Sequence, residues 1–213
     1  MRGYTNIVQI LKMQQNESTE QEQEQEQKTE FEKKQEIKEF RRKVNVYQKT
    51  LKHALATTRF NNFTWDENCK MREKNPAAKC IYAAPIQISS KVALDRNVFV
   101  MEMNNETDQI MGIGLVKNHP VAGKYTVHSV HNYNRFVYIG KWRIDREDMS
   151  ADEKEILKLL EAMCFRGINH SKRGQGITMF PMKLQYKASI IGFHILDYIC
   201  DMFKKRMNNT KSN

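Results

Sequence analysis

Cysteine and proline are scarce in this 213-residue chain, with four of each, and no two cysteines form a C-x-x-C pair. Small disulfide-stabilised scaffolds are shorter and denser in cysteine, so the composition excludes that class. The thiols of Cys69, Cys80, Cys164 and Cys200 are predicted to be reduced, as in an intracellular protein. Cys69 and Cys80 with a histidine would match no familiar zinc-ligand spacing, so we predict no metal site.

Long apolar runs are also missing. No segment approaches the roughly 20 apolar residues of a membrane-spanning helix. Met1–Leu11 lacks the apolar core and cleavage pattern of a signal peptide. We therefore expect no membrane partner and a cytoplasmic or nuclear location.

Catalytic signatures are absent as well. The phosphate-loop motif G-x-x-x-x-G-K-[ST] does not occur, and no nucleophile, base and orienting group are recognisable as a set. His128 and His131 would face opposite sides of a regular strand and could not chelate one metal together. His170 fits a polar contact better than an acid–base role. The sequence predicts no catalytic residue and no cofactor, and the protein is not expected to be an enzyme.

Basic residues dominate: 35 Lys and Arg stand against 25 Asp and Glu, for a net charge of +10. The excess is concentrated near the carboxyl end, where residues 166–213 carry nine basic and two acidic side chains. A basic domain favours anionic partners, most often nucleic acid.

Three segments divide the chain. Residues 1–35 are rich in Glu and Gln, have little to bury and are predicted to be a disordered tail. Residues 36–57 carry an apolar stripe at helical spacing and are predicted to form an amphipathic helix. The stripe consists of Ile37, Phe40, Val44, Tyr47, Leu51 and Leu55. Residues 58–213 are predicted to form one α+β domain.

Within that domain, residues 58–80 read as irregular and polar, and strand signals follow. Strands are predicted at Val98–Met103, Ile110–Val116, Tyr125–Val130 and Arg135–Ile144. Asn104–Asp108 reads as a hairpin connection, and Gly112 and Gly114 permit close backbone approach. Short strands with glycine kinks indicate a small, strongly curved sheet or barrel.

Helices follow the strands. Ser150 and Glu153 form a capping box at the start of a helix of about 14 residues. Pro181 interrupts the chain, and Lys187–Met207 is predicted to be the last helix. Its basic cluster Lys204–Arg206 suits the helix dipole and needs no ligand to explain it.

The segment from Phe165 to Thr178 is the strongest functional signal in the chain. Glycines allow backbone N–H groups to approach a ligand, and neighbouring cations suit a phosphate. A helix C-cap accounts for Gly167 but not for Gly174 and Gly176. The predicted nucleic-acid-binding residues in this loop are Arg166, His170, Ser171, Lys172, Arg173, Gly174, Gln175, Gly176 and Thr178.

The segment Asn97–Asn118, with Gly-Ile-Gly-x-Val at Gly112–Val116, resembles the core hairpin of PUA-like domains. That superfamily includes the PUA, ASCH, EVE and YTH groups. The resemblance implies a small curved mixed β-barrel flanked by helices that binds RNA or DNA, in some members through a modified base held between aromatic rings. The aromatic candidates, by residue type, for stacking on a base are Trp65, Tyr82, Tyr133, Phe136, Tyr138 and Trp142, of which Tyr138 and Trp142 are the predicted binding residues.

Arg135–Ile144 and the Lys172–Thr178 loop also resemble proteins of large DNA viruses, which would place the protein in a host cell. The sequence thus predicts a nucleic-acid-binding protein, with RNA favoured over DNA. Two alternatives remain open. One is a non-enzymatic viral assembly or virion protein that docks through the amphipathic helix, and the other is an enzyme acting on nucleic acid or a nucleotide.

Overall fold

The computed structural model describes residues 30–123, 125–167 and 170–209. The predicted disordered tail covers residues 1–35. Its residues 1–29 lie outside the described residues, and its residues 30–35 are helical. The chain divides into two units, Met1–Thr50 and Leu51–Asn213. The described part of the first unit is one helix, α1 (Glu30–Thr50).

The second unit contains the remaining elements. In chain order they are β1 (Ala54–Phe60), α2 (Asn62–Glu73), β2 (Cys80–Ala84), β3 (Asn97–Asn104), β4 (Gln109–Lys117), a 3-10 helix (His131–Asn134), β5 (Phe136–Gly140), β6 (Trp142–Asp145), α3 (Ala151–Phe165), β7 (Thr178–Met179), α4 (Met182–Ile190) and α5 (Ile195–Asn209). None of the described helices is long and apolar enough to cross a membrane.

The strands form two sheets. Five of them are ordered β6-β4-β3-β1-β7, and β2 pairs with β5 in a separate two-stranded sheet. β1 runs parallel to β3, and the other pairs are antiparallel. The chain therefore has a mixed α and β fold with a mixed sheet, and no closed barrel is found among the described strands.

The predicted helix over 36–57 is placed differently, since α1 begins at Glu30 and ends at Thr50. Leu55 continues the helical spacing, yet it lies in β1 and is almost fully buried. The reason is tertiary: its backbone pairs with Phe99 at the centre of the sheet, and that pairing overrides the local pattern. In α1, Val44 is buried whereas Ile37 is half exposed.

Residues 58–80 are more regular than predicted, because they complete β1 and form α2. A capping box starts this helix: the Asn61 side chain accepts from the Thr64 amide (2.8 Å), and the Thr64 hydroxyl accepts from the Asn61 amide (3.0 Å). Threonine takes the place that Glu or Gln usually holds in this motif, so the signal was missed.

Two of the four strand predictions need correction. Tyr125–Val130 forms no strand in the described residues, because the Asn134 side chain accepts from the amides of Val127 and His128 (both 2.9 Å) and holds the segment as a loop. Arg135–Ile144 splits into β5 and β6, which belong to different sheets.

The predicted β3–β4 hairpin and the capping box of α3 are confirmed. The predicted last helix, Lys187–Met207, is two helices. Gly192 separates α4 from α5 with a backbone φ of +83°, a conformation that glycine adopts readily and that ends α4.

Candidate functional site

A cleft of about 250 Å³ opens where the end of β1, the start of α2 and the glycine-rich loop before β7 meet. It is lined by Thr58, Arg59, Phe60, Asn61, Thr64, Ala83, Pro85, Asn105, His128, Tyr133, Gly174, Gln175 and Gly176. The loop singled out from the sequence therefore forms one wall of a cleft, and residues far away in sequence form the others.

Arg59 joins the cleft to the loop. Its guanidinium donates to the carbonyl of Ser171, to the carbonyl of Gly176 (3.5 Å), to the hydroxyl of Thr178 (2.9 Å) and to the hydroxyl of Thr57 (3.1 Å). Four of the five N–H groups of the side chain are thus used. All four acceptors are neutral, so the positive charge of Arg59 is not neutralised by these contacts.

No acidic side chain in the described ranges forms an ion pair with Arg59. Burial lowers the pKa of its guanidinium, as expected for a cation withdrawn from water without a carboxylate partner. An arginine nevertheless stays protonated in proteins. A partly buried positive charge therefore faces this cleft, which favours an anionic ligand.

Gly174 and Gly176 both adopt positive φ angles, +118° and +65°. A Cβ on Gly174 would lie 3.5 Å from the guanidinium of Arg59, and one on Gly176 would lie 2.8 Å from Cβ of Ala84. Glycine is thus needed at both positions for backbone conformation, and at Gly176 also for close packing. The loop can approach β2 closely because Gly176 lacks a side chain.

The amino end of α2 forms another wall of the cleft. Asn61 and Thr64 of its capping box both line the cleft, and the first turn carries no acidic residue. The helix dipole places about half a positive charge at such an end. This partial charge adds to that of Arg59.

His128 contributes an aromatic and titratable wall. Its Nδ1 lies 2.9 Å from Oε2 of Glu67 on α2, and the ring packs between Phe60 and Tyr133. Oε1 of Glu67 accepts from the amide of Ser129 (2.8 Å). Burial raises the pKa of the Glu67 carboxyl, but hydrogen bonds from Ser129 and His128 outweigh it and hold this pKa below its ordinary value.

Among the predicted loop residues, Gly174, Gln175 and Gly176 line the cleft itself. Thr178 contacts Arg59, and Ser171 is buried with its carbonyl bound to Arg59. The structure therefore brings these five predicted residues together at the cleft that Arg59 lines.

The predicted cations of the loop are in different situations. Lys172 forms an ion pair with Asp108 (2.7 Å) and lies over the ring of Phe165. Arg166 and Arg173 are exposed. His170 accepts from the backbone amide of Lys172 (3.3 Å) and does not line the cleft.

The predicted stacking residues Tyr138 and Trp142 lie outside the cleft. Tyr138 is completely buried, and its hydroxyl accepts from the amide of Ile88 (2.9 Å), so its ring offers no face on which a base could stack. Trp142 is half buried on β6 and does not line the cleft. Tyr133 is the tyrosine that the cleft does contain.

A second charged cluster lies inside the fold. The carboxylate of Glu102 is fully buried and accepts from Nε (2.9 Å) and Nη2 (2.7 Å) of Arg143 and from the hydroxyl of Tyr82 (2.7 Å). A Cβ on Gly112 would lie 2.7 Å from Nη2 of Arg143 and 2.9 Å from Oε2 of Glu102, and one on Gly114 would overlap the Tyr82 hydroxyl. The close approach predicted at these glycines thus makes room for an ion pair. Its groups satisfy one another, so we regard it as structural.

Sequence reasoning did not select Arg59, Glu67 or His128 as site residues, whereas it named Tyr133 as an aromatic candidate by residue type. The available signal for Arg59 was its positive charge within the otherwise apolar and threonine-rich strand Ala54–Phe60. Glu67 and His128 give none, because only the fold brings them together.

Metal-binding clusters of three or more His, Cys, Asp or Glu do not occur within the described ranges. The zinc alternative at Cys69 and Cys80 gains no support: Cys80 is buried, and burial raises the pKa of its thiol to about 12. A thiol in that state is a poor metal ligand.

Comparison with family models, curated proteins and solved structures finds no match for this chain. The cleft is therefore interpreted from its own geometry. It combines an unneutralised guanidinium, the amino end of a helix, a glycine-rich loop and an aromatic wall.

Proposed function

We propose that this protein binds single-stranded nucleic acid and that the cleft beside Arg59 receives a phosphate group. The observation that carries this proposal is the guanidinium of Arg59, which is partly buried and hydrogen-bonded to neutral acceptors only. A phosphate would supply the missing negative charge, and one N–H group of Arg59 is left to donate to it.

Three charge features support a phosphate rather than a neutral ligand, and the cleft volume bears on ligand size. The helix dipole of α2 adds positive potential at the rim, and Arg173 stands exposed next to Gly174. The net charge of +10 would attract a polyanion from a distance. The cleft volume of about 250 Å³ is below the 300–1,000 Å³ typical of cofactor pockets, so it suits a single phosphate or base.

RNA is the favoured strand in this proposal, and the resemblance of Asn97–Asn118 to PUA-like hairpins implies binding of RNA or DNA. A PUA-like domain binds its ligand with a small curved barrel. We propose that this protein is related to such domains, that it has the barrel and that it comes from a virus. Tyr133, rather than Tyr138 or Trp142, is the proposed stacking surface for a base, because it lines the same cleft as Arg59.

Salt-dependent binding tests the proposal. We measure the affinity for a labelled single-stranded RNA by fluorescence anisotropy. The logarithm of the binding constant should fall linearly with the logarithm of the salt concentration between about 50 and 200 mM. Arg173→Ala should weaken binding of all sequences alike and reduce the slope by about one. DNA of the same sequence should bind less tightly.

Arg41→Ala provides the control, since Arg41 is an exposed arginine on α1, in the other unit. It should leave affinity and slope close to those of the unaltered protein. Affinity that does not change with salt would contradict the proposal. Equal loss in both variants would show that binding follows net charge alone.

A further inference from the structure

His128 is held in the cleft by a carboxylate on one side only. Nδ1 contacts Glu67, and no described residue is hydrogen-bonded to Nε2. In the neutral form the Glu67 carboxylate keeps the ring proton on Nδ1, so that Nε2 is an acceptor. A second proton turns Nε2 into a donor.

The charges around the cleft depend on that proton. Glu67 on α2 contacts His128, Arg59 on β1 lines the same cleft, and the ring neighbours Phe60 and Tyr133 are uncharged. When His128 is protonated, Glu67 balances its charge, and Nε2 becomes a second donor in the cleft that Arg59 lines.

We infer that the ligand preferred by this cleft is a terminal phosphate monoester, such as the phosphorylated end of a nucleic-acid strand, bound jointly by Arg59 and protonated His128. The inference deepens the proposed function and rests on it for the choice of the cleft as the phosphate site. An internal phosphodiester carries one negative charge, whereas a phosphate monoester carries about 1.5 to 2 near pH 7. A monoester also has three terminal oxygens, so one remains to accept from Nε2 of a protonated His128 besides those that Arg59 contacts.

Binding of the monoester is therefore coupled to protonation of His128. A complex held through protonated His128 carries that proton, so we expect affinity to fall as pH rises towards 8. The same coupling is weaker for a strand that ends in a hydroxyl group, because such a strand has no terminal phosphate.

The test compares single-stranded RNAs of one sequence with a 5′ phosphate, a 3′ phosphate or only hydroxyl ends. Anisotropy is measured with the full chain at pH 8, 7 and 6 and constant ionic strength, and a 5′ mononucleotide serves as competitor. At pH 6–7 one phosphorylated end should bind about tenfold more tightly than hydroxyl ends, which corresponds to about 1.4 kcal/mol. The preference should shrink towards pH 8.

His128→Asn should remove both the end preference and its pH dependence, and Glu67→Gln should weaken the pH dependence. His131→Asn is the matched control, because His131 is an exposed histidine three residues away, and it should change neither. Thermal melts check that each variant folds. The measurements on the unaltered protein decide the question even if His128→Asn does not fold.

Equal affinity for phosphorylated and hydroxyl-ended strands at every pH would overturn the inference and leave nucleic-acid binding intact. A mononucleotide that competes as well as a phosphorylated strand would support recognition of the monoester but show that the strand itself is not needed. If none of the strands or the mononucleotide binds, both the inference and the proposed function fail.

Discussion

Arg143 and Arg59 are both withdrawn from solvent, and they differ in their partners. The side chain of Arg143 is 2% exposed and is bound through two nitrogens to the carboxylate of Glu102. Arg59 contacts only carbonyl and hydroxyl oxygens. A charge whose partner lies within the fold stabilises the fold, whereas one without a partner is available to a ligand. We therefore assign a structural role to Arg143 and a functional one to Arg59.

Removal of Arg143 should be strongly destabilising. Arg143→Met leaves the fully buried carboxylate of Glu102 without its cation, which costs about 3–5 kcal/mol in comparable cases. The free energy of unfolding, measured by urea denaturation, should fall by that amount.

The double variant Arg143→Met, Glu102→Gln is the control for this prediction. It removes the uncompensated charge and retains an acceptor for the hydroxyl of Tyr82, so much of the lost stability should return. A double variant no more stable than Arg143→Met would show that the loss comes from packing.

At the scale of elements, α5 is tied to α3 by one side chain. Arg206 donates to both carboxylate oxygens of Glu153 (2.9 and 2.7 Å) and to the carbonyl of Asp148 (2.8 Å). The sequence explained the basic cluster at the end of α5 by the helix dipole alone. The structure gives Arg206 a specific partner in the capping box of α3.

We expect Arg206→Ala to lower the free energy of unfolding by about 1.5–3 kcal/mol, the range for hydrogen bonds to charged groups. Lys204→Ala is the control on the same helix, because its pair with Asp201 is exposed to solvent and should contribute little to stability. Chemical denaturation of both variants would test this, and equal effects would contradict it.

Local patterns predicted those elements whose signals lie within a few residues. The β3–β4 hairpin and the Ser150 capping box are of this kind. β1 was missed because helical spacing continues to Leu55, and only pairing with β3 decides its conformation. The loop at Val127–His128 was predicted as a strand because its hydrogen bonds come from the side chain of Asn134, which no strand pattern reveals.

Over the whole molecule, ionisation links stability to pH. Hydrogen bonds from Arg206 hold the pKa of Glu153 below its ordinary value, and the pKa of Glu67 is also lowered. Groups with a lowered pKa stabilise the fold above the ordinary pKa and lose that contribution as pH falls through the folded value. His53, whose pKa is lowered by burial and by nearby cations, acts in the same direction at a higher pH.

The melting temperature should therefore fall as pH is lowered from about 6.5, most steeply below about pH 4.5. Thermal unfolding followed by circular dichroism from pH 7 to pH 3 tests this. The Glu67→Gln variant should show a shallower decline. A melting temperature that stays constant or rises on acidification would contradict the assignment of these carboxylates.

The site was predictable only in part. Glycines and cations close together in sequence predicted one wall of the cleft, and Gly174, Gln175 and Gly176 line it. The opposite walls come from β1 and from the segment that holds His128 and Tyr133. Long-range strand pairing brings these residues to the loop, and no local pattern encodes that.

The most direct test of the central claim, that this cleft holds a phosphate, places a negative charge at its rim without changing its size. Gln175→Glu does so at an exposed position, and Gln48→Glu makes the same exchange on the exposed surface of α1. We predict that Gln175→Glu binds single-stranded RNA about tenfold less tightly at low salt, a loss of about 1.4 kcal/mol. Gln48→Glu should bind like the unaltered protein. Equal affinities of the two variants would contradict the account.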